Sequence, residues 1–309
     1  MDVTVSIVTY NSADCIAACL DSVLAQTGVA LEVTVVDNAS SDQTLERLKP
    51  YEGRVGVIAN RENVGFGRAH NQALRSALGK YYYLLNPDAQ IGRPDALQRL
   101  CTAMAAHPQW GLAGTAVLTP GGENEALPEL TYPGESHARN DFSGLPGQIA
   151  WIIGASLFFR SEVFAQLGGF DPEFFLYSEE TDICLRLRQL GSEIGYVDEV
   201  SVRHIGGASE AGRDPYDVWT RRMQGMHVFW KKHFAPEDVQ GLVRRDLRRA
   251  RYRAFLNGLL ARMQPPRSAA WLKQRRYEAI ADTSAGFLAE SAGLPGRQAD
   301  APPITPHGR

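Results

Sequence analysis

Val3-Thr4-Val5-Ser6-Ile7-Val8-Thr9, followed by Tyr10-Asn11-Ser12, is the stretch that decides the fold. An uncharged, β-branched run reads as a strand buried on both faces, and Asn11-Ser12 ends it. The pattern then repeats. Ala13 to Gln26 carries Ile16, Cys19, Leu20, Val23 and Leu24 at helical spacing and stops at Gly28. Leu31 to Val36 is a second strand-like run, closed by Asp37-Asn38, with Ser40 or Ser41 placed to cap a helix through Leu48. Val55 to Ile58, Tyr81 to Leu85 and Leu112 to Leu118 read as further strands, separated by helices from Gly65 to Ala77 and from Pro94. Strands alternating with helices of this length predict a parallel α/β sheet.

In such a sheet the ligand sits beyond the carboxyl ends of the strands. Thr9, Tyr10, Asn11, Asp37, Asn38, Asn86 and Asp88 all close or follow strands, and all are polar. Their convergence on one edge is the main functional expectation.

Composition narrows the classes. The 309 residues are 44% hydrophobic and 22% charged, which excludes a chain disordered throughout, and no apolar run reaches the ~18 residues of a bilayer span. Met1-Asp2-Val3-Thr4-Val5 has neither the basic nor the long apolar region of a secretory signal, so a cytoplasmic chain is expected. Cys15, Cys19, Cys101 and Cys184 form no CxxC pair and read as reduced, buried small hydrophobes.

The second half is less periodic. Thr119 to Gln148 reads as a long loop of lid type, Trp151 to Phe159 as a strand, and Ser161 as the start of a short helix ended by Gly168-Gly169. Ser178 is placed to cap a helix from Glu179 to Leu190, and two short strands, Ile194 to Val197 and Val200 to Val202, precede His204. From Asp217 the pattern is helical, and residues 203–276 hold 17 Lys and Arg against 6 Asp and Glu. The expected division is a catalytic domain over 1–215 (halves 1–118 and 119–215), a basic helical extension over 216–290 and a disordered tail over 291–309.

Four clusters carry chemistry. Asp88 beside Asn86, at a strand end, suits one hard cation, Mg²⁺ or Mn²⁺; the alternative is a plain Pro-Asp turn. His204 is a structural histidine or, paired with Asp88, a second metal ligand, a mixed set that Mn²⁺ tolerates better than Mg²⁺. Glu179, Glu180 and Asp182 crowd a helix N-terminus and include a candidate general base; Asp182 is spaced to bridge Arg186, which favours Glu180. Asn63-Val64-Gly65-Phe66-Gly67-Arg68-Ala69-His70-Asn71 holds a GxG, but His70 occupies the third small position of a dinucleotide fingerprint, so it reads as a tight turn whose backbone lies close to a nucleotide. No GxSxG, GxxxxGK[ST] or HExxH is present.

The basic segment interleaves Trp219, Phe229, Trp230, Phe234, Tyr252, Phe255 and Trp271. Val228 to Phe234 looks interfacial, and Leu256, Leu259, Leu260 and Met263 form an apolar stripe expected opposite the arginines. An anionic membrane surface contacted through 219–276 is one reading, a face packed on the chain's own domain another; nucleic acid is not expected, for want of any recognition module.

Taken together, Val5 to Asn11, Val35 to Ser40, Asn60 to Asn71, Leu84 to Ala89, Gly168 to Asp171, Tyr177 to Arg186 and His204 resemble the family 2 glycosyltransferases, in their rhamnosyltransferase-like branch. The resemblance covers about residues 3 to 235. It implies a GT-A fold, with a mixed, mostly parallel central sheet flanked by helices, and inverting transfer from a nucleoside diphosphate sugar. It places Thr9, Asn11 and Asp37 at the nucleoside, closes Asn63 to Asn71 over it, and makes Asp88 the metal ligand of a motif that begins at Asn86. Family members commonly carry Glu-Asp where this chain has Glu179-Glu180. The branch implies dTDP-L-rhamnose as donor, with UDP sugars the alternative, and a glycan or lipid-linked acceptor in cell-surface polysaccharide assembly at the inner membrane face. A nucleotide-sugar-binding protein without turnover and a nucleotidyltransferase are the competing readings.

Overall fold

The computed structural model describes residues 1–119, 121–205 and 213–293, without the side chains of residues 124–126. The strands are β1 (Val3–Thr9), β2 (Leu31–Asp37), β3 (Gly56–Ala59), β4 (Tyr81–Leu85), β5 (Ala89–Ile91), β6 (Trp110–Leu118), β7 (Asn124–Ala126), β8 (Ser156–Arg160) and β9 (Glu193–His204). The helices are α1 (Ile16–Leu24), α2 (Thr44–Leu48), α3 (Phe66–Leu74), α4 (Ala96–Ala106), α5 (Ser161–Gln166), α6 (Glu179–Gln189), α7 (Pro215–His233), α8 (Pro236–Ala261) and α9 (Ala269–Ser291). They divide into two compact units. The first takes the described parts of Met1–Tyr132, Ser143–Phe175 and Glu179–Ser209, and the second those of Pro133–Phe142, Leu176–Ser178 and Glu210–Arg309.

The first unit is one mixed sheet in the order β3-β2-β1-β4-β8-β6-β9-β5, with β7 on β6. β3, β2, β1 and β4 are parallel, as are β6 and β9; β8, β5 and β7 run against their partners. Alternate residues feed two cores. Val5, Ile7, Val35, Tyr83 and Leu85 pack with Ile16 and Leu20 of α1 and Leu97 and Leu100 of α4. Tyr82, Leu84, Leu157 and Phe159 pack with Phe164 of α5 and Ile183 and Leu187 of α6. Burial on both faces explains why the central strands read as unbroken apolar runs.

Several boundaries differ from the sequence reading. The strand expected over 151–159 begins only at Ser156, because its partner β4 stops at Leu85, where Asn86-Pro87 turns away; Trp151 makes one isolated bridge to Glu129. The two short strands near His204 are one strand, β9, whose register on β6 shifts between Thr115 and Ala116. α2 begins at Thr44 rather than after Ser40, since the Ser40 hydroxyl is given to Asp37. The stretch 119–148 contains β7 and a 3₁₀ turn at Glu135–His137. α9 runs to Ser291, and residues 294–309 of the expected tail lie outside the described residues. Cys15, Cys19 and Cys184 are buried and Cys101 half-buried, all as free thiols.

The second unit is built from α7, α8 and α9. Phe229, Trp230 and Phe234 are buried in it, which corrects the interfacial reading of 228–234: the Trp230 indole donates to the Pro133 carbonyl at 2.8 Å, and Phe234 packs on Phe142 with ring centres 5.8 Å apart. Part of the basic excess is used internally, with Arg275 paired to Asp214 at 2.9 Å and Arg276 over the Trp219 ring at 3.7 Å. No described helix is long and apolar enough to cross a membrane.

Candidate active site

Parallel pairing brings the strand ends into register. Thr9 of β1 stands opposite Asp37 of β2, and Ile7 opposite Leu85 of β4, so Asn11, Asp37, Asn38 and Asn86 leave the sheet at one edge. Asp37 is buried there. It accepts from the Thr9 hydroxyl at 2.9 Å, the Ser40 hydroxyl at 2.6 Å and the Ser40 N–H at 3.0 Å. A carboxylate has about four acceptor positions, so one remains. Asn11 and Ala39 have positive φ, 53° and 63°, a conformation that L residues other than Asn and Asp seldom adopt. Their loops hold each other, Asn11 N–H donating to Ser40 Oγ at 2.9 Å and Ser41 N–H to Asn11 Oδ1 at 2.8 Å. Tyr10 is half-buried between them, its N–H on Ser12 Oγ.

Asn38 fixes the next loop. Its Nδ2 donates to Asn63 Oδ1 at 2.8 Å and to the Gly65 carbonyl at 3.2 Å, while its Oδ1 accepts from Val64 N–H and Asn60 Nδ2. The glycines that follow have a reason invisible in sequence. A Cβ on Gly65, whose φ is +93°, would lie 2.6 Å from the Phe175 carbonyl, and one on Gly67 would lie 2.7 Å from Phe170 Cβ. Protein approaches both backbones on the side that a Cβ would occupy. Asn71 clamps Phe170, accepting from its N–H at 2.9 Å and donating to its carbonyl at 2.7 Å, so its amide is taken up in joining α3 to the Gly168-Gly169 turn. His70 lies buried against Ser6 Oγ at 2.8 Å and edge-on to Phe66; burial pulls its pKa down to about 3, so it stays neutral.

Asp88 and His204 are brought together. β5 lies antiparallel to β9 with Ala89 opposite His204, which sets His204 Nε2 3.1 Å from Asp88 Oδ1, both side chains buried. Asn86 Nδ2 approaches the same nitrogen at 3.3 Å. Nε2 cannot serve both: bare it accepts from Asn86, protonated it donates to Asp88. Asn86 Oδ1 is buried with no hydrogen-bond partner among the described residues. No cluster of three or more His, Cys, Asp or Glu forms among those residues.

The acidic turn of α6 reaches the same edge through Gly154-Ala155. Asn86 N–H donates to the Ala155 carbonyl at 3.1 Å, and Gly154 faces Glu180, whose Cβ would lie 3.5 Å from a Cβ there. The three carboxylates differ. Asp182 is buried and bound to Arg186 at 2.7 Å, and that guanidinium also donates to the Leu167 and Gly169 carbonyls. Glu179 is buried, and its Oε2 has no hydrogen-bond partner among the described residues. Burial first, then the Glu180 charge, push its carboxyl well above the usual range. Glu180 is half-buried. Immediately before this turn Tyr177 and Ser178 both have positive φ, 71° and 68°, a strained entry for non-glycine residues. Ser40, Asn60, Gly154 and Arg186 are the site's supporting residues that sequence reasoning did not single out as such. Their partners lie as far as 29 residues away in the chain, and only the spacing of Asp182 and Arg186 pointed to one of them.

Comparison with known proteins agrees with this architecture. A family model described as Glycosyl transferase family 2 matches residues 4–168, and one described as Glycosyl transferase family group 2 matches 88–276. The chain is 27% identical over 254 residues to N-acetylglucosaminyl-diphospho-decaprenol L-rhamnosyltransferase of Mycobacterium tuberculosis, covering 72% of this chain and 81% of the relative. It is 37% identical over 143 residues to the succinoglycan biosynthesis protein ExoO of Rhizobium meliloti, covering 43% and 41%. Among solved structures it is similar to the mannosyltransferase PcManGT of Pyrobaculum calidifontis in complex with GDP-Man and Mn²⁺, with a TM-score of 0.53, 20% identity and coverage of 95% and 75%. It is also similar to S. aureus TarS 1-349 in complex with UDP-GlcNAc, with a TM-score of 0.57, 16% identity and coverage of 96% and 93%. The mixed sheet is that of the GT-A glycosyltransferases, and the chain belongs to glycosyl transferase family 2.

Proposed function

We propose that this glycosyltransferase moves a sugar, with inversion, from a nucleoside diphosphate sugar to a hydroxyl of a lipid-linked or glycan acceptor, with L-rhamnose from dTDP-L-rhamnose as the donor. The observation that carries the reading is the convergence of the Asp88–His204 pair and the acidic turn of α6 on one sheet edge, joined through Gly154-Ala155. The sugar is supported by the rhamnosyltransferase relative. That relative's name also carries a diphospho-decaprenol acceptor, which supports a lipid-linked acceptor here and work at the cytoplasmic face of a membrane.

Asp88 and His204 would hold a divalent cation, Mg²⁺ or Mn²⁺. The donor set fits: one carboxylate and one imidazole, next to a buried amide oxygen that lacks a partner. Such an ion, when bound, supplies charge neutralisation for the departing diphosphate. Asp37 has one acceptor position left for a nucleoside hydroxyl or base N–H, while Thr9, Ser40, Asn38 and Asn63 hold the loops around it. Glu180 takes the proton from the attacking acceptor hydroxyl, a role worth ~10²–10⁴ in rate. Asp182, neutralised by Arg186, positions the helix turn, and Glu179 keeps its proton.

A thermal-shift panel of nucleotides and nucleotide sugars, with and without Mn²⁺, tests the reading. A ligand at ~100 times its dissociation constant adds ~2.7 kcal/mol to stability. A Mn²⁺-dependent shift with dTDP or dTDP-rhamnose is expected. A shift with UDP sugars alone would replace the donor, and no shift with any of them, in a folded sample, would overturn the transferase reading.

A further inference from the structure

We infer that the solvent-facing side of the C-terminal half of α8 is a docking surface for an anionic lipid bilayer. The inference rests on the second unit's own surface and needs neither the donor nor the acceptor proposed above.

Tyr252, Phe255, Leu256, Leu259, Leu260 and Met263 are all exposed, from 39% at Leu256 to 85% at Met263. The spacing i, i+3, i+4, i+7 and i+8 puts the first five on one face of α8, and Met263 follows in the turn just past the helix end. The opposite face is already used: Ala250 is buried, the Arg253 guanidinium donates to Tyr277 of α9 at 2.7 Å, and a Cβ on Gly258 would touch the Gln274 amide. α8 is thus apolar on two sides, and one side is bare. Single exposed leucines are ordinary, but six contiguous large apolar side chains mark an interaction surface. The arrangement also corrects the expectation that this stripe lies opposite the arginines. Arg248, Arg249 and Arg251 are exposed on the same solvent-facing stretch of the helix, with Arg262, Arg267 and Lys273 exposed just beyond it.

Charge selects the occupant. Residues 247–277 contain no Asp or Glu. A second copy docking through this stripe would bring two arginine-rimmed faces together with no carboxylate between them. The chain's own segments outside the described residues are poor covers: 206–212 has no large apolar residue, and 294–309 has only Leu294 and Ile304. A bilayer with anionic headgroups satisfies both features, taking the apolar side chains into the acyl boundary and the cations at the phosphates. Beside the stripe, a groove of about 490 Å³ has Phe255, Leu259, Arg262 and Trp271 in its lining, with Gln274 and Glu278 of α9, the latter paired to Arg275; it gives room for an acyl chain end beside Arg262.

The test is co-sedimentation of the full chain with vesicles of phosphatidylcholine alone or with about one-third phosphatidylglycerol, at low and high salt. Binding is expected to the anionic vesicles only, weakening as salt rises. Leu259→Glu/Met263→Glu should weaken it ~100-fold with the melting temperature unchanged. Arg248→Gln/Arg249→Gln/Arg251→Gln should weaken it and flatten the salt dependence. No vesicle binding, or equal binding to neutral vesicles, would overturn the inference. So would a concentration-dependent dimer that the Leu259/Met263 variant dissolves, because the face then belongs to a second copy. No nucleotide sugar enters the assay, so its failure leaves the transferase reading standing.

Discussion

Replacing Asp182 by Asn separates the roles of Asp182 and Glu180 in the α6 turn. Asp182 is almost wholly buried, at 1% side-chain exposure, while Arg186 is 21% exposed. The substitution keeps the shape and removes the charge, leaving Arg186 with neutral acceptors only, the new amide oxygen and the Leu167 and Gly169 carbonyls. Removing one partner of a buried pair costs ~3–5 kcal/mol, and the two retained carbonyl bonds put this case at the lower end, ~3 kcal/mol. For the first unit, of about 200 residues, that is a melting temperature ~6–12 °C lower. Turnover well below the new melting point should fall by less than ~10-fold, because the group does not meet the acceptor proton. Glu180→Gln should do the reverse, with a melting temperature within ~2 °C of the parent and kcat down by ~10²–10⁴. The double variant Asp182→Asn/Arg186→Gln should recover part of the lost stability, since it removes the stranded charge. Differential scanning fluorimetry and a sugar-transfer assay read both quantities. An Asp182→Asn protein that melts like the parent and has lost turnover, beside an active Glu180→Gln protein, would make Asp182 the base and refute this division of roles.

Glu179→Gln should change the pH dependence of stability. The folded carboxyl holds its proton while the unfolded one releases it above about 4.3, so the parent loses ~1.4 kcal/mol per pH unit above that point until the folded group also ionises. Urea unfolding across that range should show the slope in the parent and not in the variant; parallel curves would mean that Glu179 ionises in the fold. Asp88→Ala should abolish Mn²⁺-dependent nucleotide binding in isothermal titration and His204→Ala should weaken it, whereas unchanged titrations would remove the pair from the metal site. Gly169→Ala forces a left-handed φ of +74° and drives a Cβ into the Asn71 amide, which costs ~2–4 kcal/mol. Gly168→Ala, at φ +72° with open space around its Cβ, should cost only ~1–2 kcal/mol. Equal melting temperatures for the two would show that the Asn71–Phe170 clamp carries no weight.

The central strands were legible because each is buried on both faces, so β1, β2 and β4 appear as apolar runs ended by the polar residues that line the edge. β5 and β7 were not, since three residues carry no periodicity. β5 nevertheless sets Asp88 against His204, 116 residues apart, so the pairing of those two was an inference of chemistry rather than of pattern. The Gly65 and Gly67 positions had a partner hidden for a related reason: a glycine reports that something comes close, and on the Cβ side it is Phe175 and Phe170, over a hundred residues on. The outer stripe of α8 shows the limit of helical periodicity. When two faces of a helix are apolar, sequence gives their spacing but not which one α9 covers.

The departure from the common Glu-Asp pair at Glu179-Glu180 can be argued from charge. A helix N-terminus stabilises a carboxylate by ~0.3–1 kcal/mol, too little to hold three in one turn. Arg186 cancels Asp182, and burial keeps Glu179 protonated. The remaining carboxylate is Glu180, on the side of the helix that faces Gly154, and Gly154-Ala155 is the segment that ties the turn to Asn86. A side chain at position 154 would lie along Glu180, with a Cβ 3.5 Å from Glu180 Cβ and 3.8 Å from its Cγ. The glycine leaves that flank open to the longer carboxylate. On the proposed assignment, Glu in place of Asp extends the base by one methylene past Gly154, while Arg186 holds Asp182 and burial keeps Glu179 protonated.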